Sequence, residues 1–165
     1  SAGVRSIVMV NYLEAEQGIV ERLRIKVPEL LTIYTPATLG DVEEISQVCP
    51  AAHVIYNGET VMSRAGGAQA SPWDAGDGKL VTAYQYWLVV LTTRNVAAQL
   101  QNVSALREDA GLIMTKILQA LQGFKASENT SPLLRITAPA PEYKAGFSYY
   151  PFVFSTQVRV LAEEV

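Results

Sequence analysis

The sequence predicts an α+β domain: a mainly antiparallel sheet with two longer helices and one short helix packed on it. Three observations carry that prediction. Leu80 to Thr93 and Phe147 to Leu161 alternate in side-chain character with the period of a strand. Asn11 to Val27 and Ser104 to Leu121 instead repeat apolar residues at helical spacing. The order of elements, helix, strand, short helix, strand, long strand, helix, strand, strand, lacks the regular β–α alternation of a parallel fold.

The first helix opens on Asn11 followed three residues later by Glu14, the spacing of a capping box. Leu13, Val20, Leu23 and Val27 then share a face, and Pro28 stops the helix. Leu30 to Thr35 is rich in β-branched and aromatic residues and reads as a strand closed by Pro36. Asp41 to Val48 reads as a short helix with an acidic residue at its positive end, stopping before Pro50. Ala52 to Tyr56 is a strand, and Asn57-Gly58 is expected to end it in a tight turn. Glu59 to Lys79, with Gly66, Gly67, Pro72, Gly76 and Gly78, reads as a long loop or hairpin tip, and loops of that length are usually functional or disordered.

Leu80 to Thr93 would reach about 45 Å, more than twice the usual strand length, so it is expected to bend, bulge or run past its own sheet toward another subunit. Ser104 is the expected cap of the strongest helix. Its stripe is Leu106, Ala110, Ile113, Ile117 and Leu121, flanked by Met114 and Leu118, and Gly123 ends it. After the polar stretch Lys125 to Ser131, Leu133 to Thr137 reads as a strand broken by Pro139-Ala140-Pro141. In the last strand Tyr150, Phe152, Phe154, Val158 and Val160 share one face, with Ser155, Gln157 and Arg159 on the other. Pro151 argues for an edge position or a bulge at its start.

Composition narrows the function classes. With 165 residues, 49% apolar and 18% charged, the chain can bury a sizeable core as one domain without disulfides, and its single cysteine, Cys49, allows none internally. Residues 1–10, SAGVRSIVMV, lack the three-part layout of a signal peptide and read as a tag or disordered start, leaving 11–165 as a single domain. No apolar run approaches the length of a membrane span. The net charge of -3 divides unevenly: residues 1–60 hold 4 basic and 8 acidic side chains, and residues 61–165 hold 9 and 8. The positive residues are single and widely spaced, which argues against nucleic acid as the primary ligand.

Few residues suggest chemistry. His53, the only histidine, lies inside an apolar strand, with no nucleophile or orienting group recognisable nearby, so a structural role is expected. One His and one Cys do not make a zinc site. Gly66-Gly67 lacks the Gly-Lys-Ser/Thr ending of a phosphate loop. Asp74 to Gly78 lacks the alternate oxygen ligands and closing glutamate of a calcium loop, and reads as a Gly-rich turn. Trp73 stands out as a large aromatic in a polar loop, which either tucks back onto the domain or anchors a partner. No catalytic residue, metal or cofactor is expected.

The ordered set KLVTAYQYWLVVLTTRN, SALREDAGLIMTKILQALQGF and LLRITAPAPEYKAGFSYYPFVFSTQV resembles small proteins encoded in the tail gene clusters of Mu-like phages and prophages. The resemblance runs from about Asn11 to Leu161. It is most specific in pairing Leu118 to Gly123 with Tyr143 to Phe147 and Tyr149 to Phe154. Members of this group are tail terminators or tail completion proteins, non-enzymatic subunits that assemble as a ring, usually a hexamer, on the head-proximal end of the tail tube. The resemblance therefore implies as partners further copies of the chain, the tail tube protein and the head–tail connector. It implies assembly in the bacterial cytoplasm and residence in the tail or neck of the virion. The expected contact residues are Arg64, Trp73, Asp74, Asp77 and Lys79 in the loop and Arg94 at the end of the long strand. Two other readings remain at this point: a head–tail joining protein, and a small cytoplasmic enzyme using carboxylates such as Asp74 and Asp77.

Overall fold

The computed structural model describes residues 11–44, 48–62, 78–95 and 103–163. In chain order its elements are α1 (Ala15–Lys26), β1 (Thr32–Tyr34), α2 (Leu39–Glu44), β2 (Ala51–Val61), β3 (Leu80–Arg94), α3 (Val103–Leu121), β4 (Leu134–Ile136), β5 (Glu142–Lys144) and β6 (Phe147–Leu161). The six strands form one mixed sheet in the order β1-β2-β3-β6-β4, with β5 also paired to β6. Only β1 and β2 run parallel, joined through α2; every other pairing is antiparallel.

The two long helices lie on one face. Ala15, Ile19 and Leu23 of α1 and Ala110, Ile117, Ala120 and Leu121 of α3 bury against Ala52 and Val54 of β2, Trp87, Val89 and Leu91 of β3, and Tyr150, Phe152 and Phe154 of β6. Each large side chain so enclosed contributes about 2–3 kcal/mol, which makes this layer the main source of stability. Arg22 fastens the two helices: its Nε donates to the Ala120 carbonyl (3.0 Å) at the C-terminal end of α3, and its guanidinium lies 4.7 Å from the centre of the Phe124 ring. A cation suits that helix end electrostatically.

The opposite face has an apolar cluster of its own. Val42 of α2 meets Ile55, Leu88, Val90, Tyr149 and Val153 there, so the short helix lies across the sheet from the long ones and the helices are not all on one face. This second cluster explains why β3 and β6 are apolar on both faces over their central residues.

Several expectations change in detail. Asn11 forms no capping box. Its Oδ1 accepts the Leu13 N–H (3.0 Å) and its carbonyl the Glu14 N–H (3.1 Å), a turn leading into the helix, while the Glu14 carboxylate reaches Asn129 Nδ2 (3.3 Å). Leu13 is left exposed, and Ile19 takes the central buried place. The first strand shortens to β1. The short helix is described only over Leu39–Glu44, its expected continuation over 45–47 lying outside the described residues. Ser104 falls inside α3, one residue past its first position.

Asn57-Gly58 does not end its strand. Tyr56 pairs with Trp87 and Glu59 with Gln85, so the dipeptide is a bulge within β2, and Gly58 supplies the positive φ of 86° that it needs. The dipeptide that favours a tight hairpin turn thus extends β2 instead, because β3 continues as its partner.

β3 neither bends out of register nor bulges. All 15 residues pair in sequence with the 15 of β6, from Leu80 opposite Leu161 to Arg94 opposite Phe147. Pro151 consequently sits in an interior strand, yet it breaks no ladder. On the outer side of β6, β4 pairs with residues 153–155 and β5 with residues 147–149. The intervening segment Thr137–Pro141 swings away as a strap, five residues opposing the three at 150–152. The missing N–H of Pro151 faces that gap, where no strand asks for it.

Candidate functional site

β2, β3 and β6 run together past the end of the helical layer and form a three-stranded tip. On the helical face, Tyr12 packs over Ala83 and Val158, and its hydroxyl is held by the Glu59 carboxylate. Beyond that cover, Val61, Val81 and Val160 are 55%, 43% and 42% exposed. Val81 stands directly opposite Val160, and Val61 is opposite Ala83, so the three valines form one patch across three strands. On the other face Leu80, Tyr84 and Leu161 are also exposed. β-branched residues stabilise a pleated surface, but apolar side chains open to water on both faces of one strand end are a mark of a protein interface.

The base of this tip is rigid for a specific reason. Gln85, fully buried, accepts the Trp87 Nε1–H on its Oε1 (3.1 Å) and donates from Nε2 to the Tyr12 carbonyl. Every polar atom in that relay has a partner, so the chain entering α1 is tied to β3 where the helical layer stops.

Of the expected contact residues, Lys79 and Arg94 are described, and the structure does not bring these two together. Lys79 is exposed at the tip, and its carbonyl accepts the Ala162 N–H (2.6 Å). Arg94 is at the other end of β3, its guanidinium 5.6 Å from the centre of the Phe147 ring, so about 50 Å of strand separates the two residues. Arg94 also faces Cys49, whose thiol burial pushes up and the arginine's charge pulls partly back. Arg64, Trp73, Asp74 and Asp77 lie outside the described residues. The valine patch was missed because each strand's alternation reads as a buried face. The available signal was the apolar character of both Leu80 and Val81, on opposite faces at a strand end.

His53 is fully buried in β2 with its ring stacked on Tyr34 (centroids 5.1 Å apart, planes 19° apart), and burial lowers its pKa to about 4. The folded state therefore keeps the ring neutral, while the unfolded chain protonates near 6.5. Stability is at its full value above pH 6.5 and falls as the pH drops toward 4, by up to about 3 kcal/mol. Urea midpoints at pH 7.5, 6 and 4.5 should show that decline. His53→Gln should flatten it, and an equal slope in the variant would remove His53 as its source. Among the described residues, no group of three or more His, Cys, Asp or Glu side chains is placed to hold a metal ion, and no helix is long and apolar enough to cross a membrane.

A mixed sheet with helices on it, extended into an exposed apolar strand end, is an architecture suited to contacts with other protein chains. The particular family follows from comparison: the chain belongs to the phage tail terminator protein family, whose model matches residues 9–163. It is thus a structural protein of phage tail assembly. No curated protein matches the chain.

Proposed function

We propose that the protein is the ring-forming subunit that caps the phage tail tube, stops its polymerisation and prepares it for head joining. The exposed valine patch carries this reading. A ring requires each subunit to present two different surfaces that close on themselves through rotation, and a projecting apolar tip supplies one of them. The excess of acidic residues over 1–60 and the near balance over 61–165 suit such head-to-tail contacts. Six copies is the expected number, with further contacts to the tail tube protein and the connector. Assembly takes place in the bacterial cytoplasm before incorporation into the virion.

Light scattering on purified protein, alone and after mixing with purified tail tubes, tests the reading. A mass of six subunits, free or sedimenting with tubes, is the expected result. A strict monomer at high concentration that ignores tubes contradicts it, and binding to the connector in the absence of any tail would mark a neck protein instead.

A further inference from the structure

We propose that the cleft between α3 and the Thr137–Pro141 strap docks a carboxylate carried on an apolar segment of a partner protein. The cleft exists because the strap leaves β6 at Pro151, opening a space of about 610 Å³ beside Tyr150 and Phe152. Met114 of α3 forms the opposite wall. Gly111, one turn earlier on that helix, faces open space, since a Cβ there would meet nothing within 4 Å. A glycine in mid-helix is locally unfavourable, and no backbone approach or positive φ requires this one.

The chemistry of the cleft is one-sided. Phe152, Met114, Pro139 and Pro141 make its surface apolar, and Arg135 is the only charged group lining it among the described residues. The Arg135 guanidinium stands 5.5 Å from the centre of the Phe152 ring, with no hydrogen bond or ion pair to another described residue. Outside the cleft lining, next to Tyr150, Arg107 Nε donates to the Tyr143 hydroxyl (3.4 Å), and the Tyr143 ring meets Tyr150 edge-on, centroids 6.0 Å apart.

Tyr150 is 3% exposed, and its hydroxyl makes no hydrogen bond of ordinary length among the described residues, the Tyr143 and Ser148 side chains being its polar neighbours. Burial first, then the Tyr143 hydroxyl, raise this phenol to about 12, so at neutral pH it keeps its proton and remains a donor. A buried donor without an acceptor is unfavourable, and an incoming carboxylate relieves it. Tyr143, exposed and tethered by the Arg107 hydrogen bond, is the cover that must turn aside. The apolar floor and the isolated arginine favour an acid on an apolar peptide over a phosphate, which would call for more cationic donors.

The cleft lies within one subunit, so its test does not depend on ring formation. Fluorescein-labelled acetyl-Leu-Leu-Glu-Leu-Leu-amide and its Gln counterpart are titrated with the whole protein, and anisotropy is read at low salt. The Glu peptide should bind about tenfold more tightly than the Gln peptide. Tyr150→Phe and Arg135→Gln should each erase that preference, with melting temperatures unchanged or, for Tyr150→Phe, raised. The assignment is overturned by equal affinity for the two peptides, by binding of neither at about 1 mM, by a preference that survives both substitutions, or by inorganic phosphate competing as well as the Glu peptide.

Discussion

Gly18→Ala is expected to destabilise the protein by more than about 3 kcal/mol, although alanine is the better helix former by about 1 kcal/mol. Gly18 is the fourth residue of α1, where an added Cβ would stand 1.8 Å from the carbonyl oxygen of Ala126 and 2.7 Å from its carbon. Both atoms are backbone, so no side-chain rotation relieves the clash. Nor can the Ala126 segment easily withdraw. It is pinned by bridges between Lys125 and Pro132 and between Thr130 and Val158, and by the Leu133 N–H, which donates to the Phe124 carbonyl (2.9 Å). The two effects have opposite signs, which makes the substitution informative. Equilibrium urea unfolding of the variant should show a large fall in midpoint, whereas an unchanged or higher midpoint would mean that α1 and the 122–130 turn do not touch as described.

The second large effect concerns assembly rather than folding. Val81→Lys combined with Val160→Glu should abolish ring formation while changing stability by no more than about 1 kcal/mol. The two residues face each other across β3 and β6, so the introduced charges are opposite in sign and pair across the strands, in place of an apolar patch that water already reaches. A buried pair of valines could not be exchanged at that cost. Light scattering and a thermal melt on the same sample separate the two quantities. Rings of normal mass from the variant would place the subunit contact elsewhere; a collapsed melting temperature would show that the valines belong to the fold's own core.

Much of the fold was legible because its strongest periodicities coincide with its best-packed elements. The stripe from Ala110 to Leu121 places α3, and the alternation from Leu80 to Thr93 places β3. What could not be read was tertiary. Asn57-Gly58 has the same local preference in a hairpin turn and in a bulge, and only the continuation of β3 beside it decides between them. Tyr149 and Val153 are as apolar as Tyr150 and Phe152, but a second covered face depends on Val42 arriving from a distant helix. Gly18 carries no positive φ and no turn signal; its requirement comes from a backbone more than a hundred positions away in sequence.

The candidate site was legible only in part. The overlong strand was expected to bend, bulge or run past its own sheet; instead all of it pairs with β6, and what its Leu80–Tyr84 end leaves open to water is side chains, not backbone. Lys79 and Arg94, named as contacts at the loop and at the strand's end, lie as far apart as the strand is long, so each would meet a different part of a partner. The cleft beneath the strap left no sequence signal except Pro139-Ala140-Pro141, which marks a break in a strand without saying what the break uncovers.

Electron microscopy of tail-tube protein polymerising in the presence of this protein tests the central claim most directly. The account predicts tubes of limited length, each bearing one added ring at one end, and loss of both features with the Val81→Lys, Val160→Glu variant. Tubes that carry no added ring and grow as long as those formed without the protein would contradict it.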